Sequence, residues 1–325
     1  MFQPSLLQKE HVMAQKKSRK SQSSTSYWIW LVLLVILALF GGGKAGHVTN
    51  FVNSMQHLNS NSLIQNNKVK INSSDNQELI NLQFDAHKYP QNYAIINNNQ
   101  PEFSQAAQKR LQVMRSGNNL QAYLNQSNDQ QDTLYNNLDQ LGRTQAVTSF
   151  VRYRDVVKHS GKVMKRPPFP SSTRISGEYL DGQYNAQQQQ WYGHQSNNKM
   201  VQLSSYRGYL YNKSHLLAWS LGGTMKTNNV VLGTRAQNVG TNNQNNPGGM
   251  AYSETRVRNF LKTHQQEVIF YQAIPVYADN ELVPRGVHVL AQSVHDPQAL
   301  QINVWTFNTQ AGVKINYHTG QATTN

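Results

Sequence analysis

The chain contains no cysteine. That excludes disulfides, a cysteine nucleophile and thiolate metal sites together. Any metal must be held by oxygen or imidazole, which favours Mg²⁺, Mn²⁺ or Ca²⁺ over a structural zinc. Acidic side chains are scarce: 16 Asp and Glu stand against 30 Lys and Arg, a net charge of +14 over 325 residues. Such an excess favours a polyanionic partner, whether nucleic acid, anionic lipid or cell-wall polymer, without choosing among them. Internal repeats are missing too, and the histidines show no His-x-x-x-His spacing. The length allows one large domain or two small ones.

Polar-free runs are rare as well; the long one is Trp28 to Phe40. With Tyr27 and Gly41–Gly43 it reaches the short end of a spanning helix, for which roughly 20 residues is usual. It also fits the core of a secretory signal. Lys9, Lys16, Lys17, Arg19 and Lys20 precede it with Glu10 as the single acid, so the charge bias puts the N-terminus inside and everything after Lys44 outside. The expected organisation is a cytoplasmic basic arm (1–26), a transmembrane anchor or signal segment (27–43), an Asn/Gln-rich tether (44–87), a folded domain (88–320) and a tail (321–325). Cleavage after 27–43 gives a secreted protein; retention gives a single-pass membrane protein with its C-terminal domain outside.

Within 88–320 the pattern is mixed. Tyr93–Phe103 reads as a short strand turning into a helix near Ser104–Arg115, and Leu134, Leu138 and Leu141 keep helical spacing before Gly142. Strand-like alternation recurs at Val147–Tyr153 and Val201–Leu210, with further strands expected at Val230–Leu232, Val268–Val276, Gly286–Val294 and Ile302–Asn308. Tyr252, Val257 and Leu261 mark a helix. The fold class is therefore α+β. Arg152, Arg154, Lys158, Lys162, Lys165, Arg166 and Arg174 fall close together with Asp155 the only acid among them. That stretch is either a solvated loop or a surface that follows phosphates.

One region collects the chemistry. Asn212-Lys213-Ser214-His215 is followed by Arg235-Ala236-Gln237-Asn238 and then by Glu254, Arg256 and Arg258. A proton acceptor, a neutral oxygen ligand and clustered cations are the parts that metal-assisted phosphodiester cleavage requires. Alone, each residue has a plain structural reading: a strand-end histidine, a turn amide, and an exposed i,i+4 ion pair on a helix face. Asn242, Asn243, Asn245 and Asn246 read as turn residues.

The segment Asn212–His215 resembles the Asp-Arg-Gly-His signature of the DNA/RNA non-specific endonucleases, a ββα-metal family, and most resembles their streptococcal and lactobacillal secreted or DNA-entry branch. Tyr93–Phe103, Leu138–Arg143, Tyr211–Gly223, Gly233–Gly240, Gly248–Glu254, Pro275–Arg285 and Phe307–Gly320 also look like landmarks of that branch. The resemblance implies a hairpin-plus-helix core beside a central, mainly antiparallel sheet flanked by helices. It implies His215 as general base, Asn238 as ligand to one Mg²⁺ (Mn²⁺ as substitute), Glu254 on a water of the ion's shell, and Arg258 on the phosphate. Lys213, Arg235 and Arg256 are lesser phosphate contacts. An ordinary imidazole titrates near ~6.5, so His215 is expected to be neutral and basic without heavy tuning. A second acceptor such as a backbone carbonyl is expected to fix its tautomer.

Lys213 stands where the signature has arginine, which replaces a bidentate fork by a point charge. The implied activity is Mg-dependent hydrolysis of DNA, and of RNA, leaving 5′-phosphate ends, with phosphate and not base contacts giving low specificity. The implied partners are nucleic acid and, through 27–43, a membrane, with no obligate protein partner. The rival is a catalytically weak surface receptor for nucleic acid on the same scaffold.

Overall fold

Val268–Val276 is apolar almost throughout because both of its faces are covered. Val268 and Phe270 point into one apolar cluster, while Ile269, Tyr271 and Ala273 point into another. A strand's side chains alternate between faces, so a central strand sandwiched between two layers must be apolar at every position. The structure, a computed structural model, describes residues 68–70, 76–203, 206–241 and 245–324. The basic arm and the run Tyr27–Gly43 lie outside the described residues. Among those described, no helix is long and apolar enough to cross a membrane.

In chain order the strands are β1 (Lys68–Val69), β2 (Tyr93–Ile96), β3 (Thr133–Tyr135), β4 (Val147–Arg152), β5 (Gln183–Asn185), β6 (Gln190–Tyr192), β7 (Met200–Gln202), β8 (Arg207–Tyr209), β9 (Tyr211–His215), β10 (Val230–Thr234), β11 (Val268–Val276), β12 (Gly286–Ser293), β13 (Gln301–Phe307), β14 (Val313–Ile315) and β15 (Ala322–Thr324). The helices are α1 (Asn76–Ile80), α2 (Gln105–Arg115), α3 (Asn119–Leu124), α4 (Tyr153–Lys158), α5 (Arg235–Val239) and α6 (Met250–Thr263).

A seven-stranded sheet runs β1-β2-β13-β12-β11-β4-β3, antiparallel apart from the parallel β1–β2 edge. One face packs on α2 and α3. Ala107, Leu111 and Met114 sit at helical spacing on α2 and meet Phe150, Phe270 and Leu290. Ser104 caps α2 by accepting from the Ala107 amide at 3.4 Å. The other face packs on α6 and on residues 216–221, with Met250, Val257 and Leu261 as the buried stripe. Val257 and Leu261 are fully buried, and burial of side chains of this size stabilises by about 1.5–3 kcal/mol each.

Beside this sheet, β9 and β10 form a separate antiparallel hairpin in which Val230 pairs with His215 and Thr234 with Tyr211. Two glycines fix the helices against it. A Cβ on Gly233 would lie 2.1 Å from Gln237 Oε1 and 2.7 Å from Ser214 Cβ, so only glycine lets α5 lie this close to the hairpin. Gly249 precedes α6 at φ +54°, and a Cβ there would meet the Gln237 and Ala236 carbonyl oxygens at 2.2 and 2.6 Å. The start of α6 is thereby seated on α5.

Several expectations need correction. Leu134, Leu138 and Leu141 are not on a helix: β3 ends at Tyr135, and Asp139 then holds a turn by accepting from the Leu141 and Arg143 amides. Local side-chain capture of the backbone overrides the spacing. Val201–Leu210 is not one strand but the β7–β8 hairpin, with Met200 opposite Tyr209. The packed structure also begins before residue 88. Leu79 is buried with Tyr89, Ala94 and Trp305, and Asn76 Oδ1 lies 2.6 Å from the buried His288 ring. At the other end, Ala322–Thr324 pairs with Val313–Ile315 and is a strand.

The basic stretch divides as well. Arg152 is 1% exposed, ion-paired to Asp155 at 3.0 Å, and bonded to the Tyr123 and Gln130 carbonyls. It fastens β4 to the α3 side of the fold and is no surface cation.

Candidate active site

His215 closes β9. Odd-numbered residues of that strand share a face, and both Lys213 and His215 meet Phe169 there. The Lys213 Nζ lies 6.0 Å from the ring centroid, and the His215 ring stacks at 5.2 Å and 26°. Behind His215 the chain is held by Asn229, which is fully buried. Its carboxamide bonds to both the amide and the carbonyl of Leu217 at 2.9 Å and donates to the Thr224 carbonyl. The loop that follows the imidazole is therefore tied down by Asn229.

Among the described residues, the partner of the His215 ring is the Met225 sulfur, 3.2 Å from Nε2, and not the expected carbonyl. A thioether can accept weakly but has no hydrogen to give. The neutral ring therefore keeps its proton on Nε2 and its lone pair on Nδ1. Burial pushes the imidazole down to about 4, and the Arg166 guanidinium pushes the same way. The expected ordinary value does not hold: His215 is neutral over a wide range, as a proton acceptor must be.

Glu254 lies one helical position beyond the buried stripe of α6 and is half-buried. Dense packing around it pushes its carboxyl up to about 7, against the opposing pull of Arg258 and Arg166. Among the described residues no hydrogen bond or ion pair holds this carboxylate. Two electrostatic neighbours connect it with the His215 region. Arg166 acts on both groups. Glu254 also acts on Tyr271, whose hydroxyl donates to the carbonyl of Leu216, the residue after the histidine. Arg258 is held one turn on, donating to Ser220 Oγ at 3.1 Å and Thr255 Oγ1 at 2.9 Å.

The remaining candidates divide. Asn238 Oδ1 accepts from Ser214 Oγ at 3.2 Å, so α5 brings it to β9, on the face that Ser214 occupies. Lys213 is paired with Glu178 at 3.0 Å and donates to the Thr173 carbonyl, so two of its three N–H groups are already engaged. Arg235 begins α5 beside Thr234, at the far end of the hairpin from His215, about 13 Å away at the rise of an extended strand. Arg256 is exposed and donates to the Tyr252 hydroxyl at 3.1 Å. Arg166 was legible only as one of a basic run. Its guanidinium stands 5.3 Å from the Phe169 ring, and Phe169 three residues later was the available hint.

Among the described residues no three His, Asp or Glu side chains cluster to hold a metal. The candidate donors are hard oxygens: the half-buried carboxylate of Glu254 and the carboxamide of Asn238. That set fits a divalent cation that keeps most of its waters, and does not fit a tetrahedral structural site.

The mixed α/β architecture around a central antiparallel sheet, with the β9–β10 hairpin beside it, is a nuclease fold. Residues 172–295 match the sequence model of the DNA/RNA non-specific endonuclease family. A deoxyribonuclease of Streptococcus dysgalactiae subsp. equisimilis is 39% identical over 130 residues, which are 38% of this chain and 38% of that protein. The chain thus matches well under half the length of that relative. The solved structure of Sda1 nuclease with a bound zinc ion superposes with a TM-score of 0.56 at 28% identity, covering 74% of this chain and all of Sda1. NucA from Streptococcus agalactiae with magnesium bound gives a TM-score of 0.44 at 22% identity, over 61% of this chain and 80% of NucA.

Proposed function

We propose that this protein is a metal-dependent endonuclease that hydrolyses the phosphodiester bonds of DNA, and of RNA, with little sequence preference. The observation that carries the reading is the Arg166 guanidinium, 5.3 Å from the Phe169 ring on which His215 stacks; its field acts on both His215 and Glu254 and supports their working on one phosphate. The similarity of residues 172–295 to the endonuclease family supports the same reaction.

His215 takes a proton from the attacking water on Nδ1 as the water oxygen bonds to phosphorus. The bond from phosphorus to the 3′ oxygen breaks, the leaving oxygen takes a proton from solvent, and the product keeps a 5′ phosphate. Arg166 and Arg258 meet the phosphate oxygens, and neutralising Arg166 in this way lets the imidazole become more basic as substrate arrives. Glu254, with Asn238 as the candidate carboxamide ligand, would hold the cation. When bound, Mg²⁺ supplies charge compensation at the phosphate and at the departing oxygen.

The substrate is met outside the cell or at its surface. The basic arm and apolar run Tyr27–Gly43 support export, as an anchor or as a removed leader. The test is digestion of plasmid and of RNA by the full chain across a metal series. Cleavage should need a divalent cation and stop with excess chelator. Undiminished cleavage in chelator sinks the mechanism.

A further inference from the structure

An aromatic and cationic track leads away from His215. Phe169 lies against His215 and Lys213, Lys213 donates to the Thr173 carbonyl, and the next residue is Arg174. The Arg174 guanidinium stands between two rings, 5.8 Å from that of Tyr179 and 6.0 Å from that of Tyr192. Among the described residues it makes no ion pair. Tyr192 is 44% exposed.

The β5–β6 hairpin presents this ring firmly. Trp191, 4% exposed, turns inward, stacks near Tyr184 and donates its Nε1 to the Gly142 carbonyl at 2.7 Å. Strand alternation then forces Tyr192 outward. Gln190 Nε2 donates to the Ser172 carbonyl at 2.8 Å, which ties the hairpin to the loop bearing Arg174. An exposed ring, whose hydroxyl donates to Gln188 Oε1, is thus backed by a buried one and flanked by the Arg174 guanidinium.

We propose that Tyr192 and Arg174 form a subsite for unpaired nucleotides, the ring stacking on a base and the guanidinium meeting the adjoining phosphate. This deepens the nuclease reading and rests on it. Duplex bases are stacked inside and offer no free face, whereas every unpaired base has one. Phosphates are common to both forms. The subsite therefore favours single-stranded nucleic acid, or duplex ends and gaps, over intact duplex.

The test uses the full chain carrying His215→Ala, so that binding is read without cleavage. Fluorescence anisotropy measures affinity for a labelled single strand and for a duplex of equal length. Adding Tyr192→Ala should weaken single-strand binding by at least about fivefold, and leave duplex binding within about twofold. Tyr192→Phe keeps the ring and should keep the affinity. Arg174→Gln should weaken both forms and flatten their salt dependence. In the active enzyme, Tyr192→Ala should raise KM on single strands with kcat unchanged. Equal loss on both forms, or no loss on the single strand, overturns the subsite and leaves the nuclease reading standing. Failure of the His215→Ala chain to bind either form removes both.

Discussion

Ser214 and His215 are consecutive on β9 and face opposite ways: Ser214 donates to Asn238, while His215 stacks on Phe169. The carboxamide implied as the metal ligand is therefore bonded to the histidine's chain neighbour but lies across the strand from the imidazole.

Asn238→Ala decides what that arrangement means. If Asn238 holds the cation, the variant should need far more metal for the same rate and recover at high metal concentration. If it serves only the junction of α5 with β9, urea unfolding should lose about 1 kcal/mol for the missing hydrogen bond, and the metal titration should not move. Asn246→Ala is the companion measurement. That residue is exposed in the turn before α6, eight positions ahead of Glu254. A metal titration that shifts with Asn246 and not with Asn238 transfers the ligand role to it.

His215→Ala should cost about 10²–10⁴-fold in cleavage rate while nucleic acid binding persists, since general base catalysis contributes on that order. Met225→Leu tests the tautomer. It keeps the apolar packing but removes the sulfur that faces Nε2, so the rate should fall while KM and thermal stability hold. A rate unchanged in Met225→Leu shows that the sulfur does not fix the ring, and an active His215→Ala refutes the base.

The fold was legible where burial is two-sided. Val268–Val276 and Gly286–Val294 could be read as strands because most of their positions are apolar. Leu134, Leu138 and Leu141 misled because three leucines at helical spacing cost nothing by chance, whereas Asp139 gathers two amides into a turn. His215 and Glu254 were marked as candidates through their resemblance to a family motif. Their electrostatics were not, because Arg166 reaches them from 49 and 88 positions away in sequence and acts only through the folded chain. Arg152 was misread for the same reason: nothing in a run of cations distinguishes the buried one.

The acid limb of kcat/KM should follow Glu254. Its carboxyl is pushed up to about 7, so below that pH it is protonated and holds a cation poorly. His215, held at about 4, stays neutral through this range and adds no limb near neutrality. Cations and protons compete for the same carboxylate, so raising metal concentration should move the limb to lower pH. Glu254→Gln should abolish that movement. A limb fixed at one pH across a metal series excludes Glu254 as its source.

Arg152 and Asp155 supply the last prediction, on stability. Both are almost fully buried and meet at 3.0 Å, and the arginine also bonds two backbone carbonyls. Removing one partner leaves a buried charge without compensation, so Asp155→Asn or Arg152→Met should each destabilise by about 3–5 kcal/mol in urea unfolding. The double variant Arg152→Met with Asp155→Leu removes both charges and should recover part of the loss, the Tyr123 and Gln130 carbonyls remaining unsatisfied. Specific activity of the folded fraction should stay near that of the parent chain, because this pair braces β4 against the α3 side and touches neither His215 nor Glu254. A single variant as stable as the parent contradicts the burial, and one that stays folded but binds nucleic acid more weakly restores Arg152 to the phosphate-facing surface.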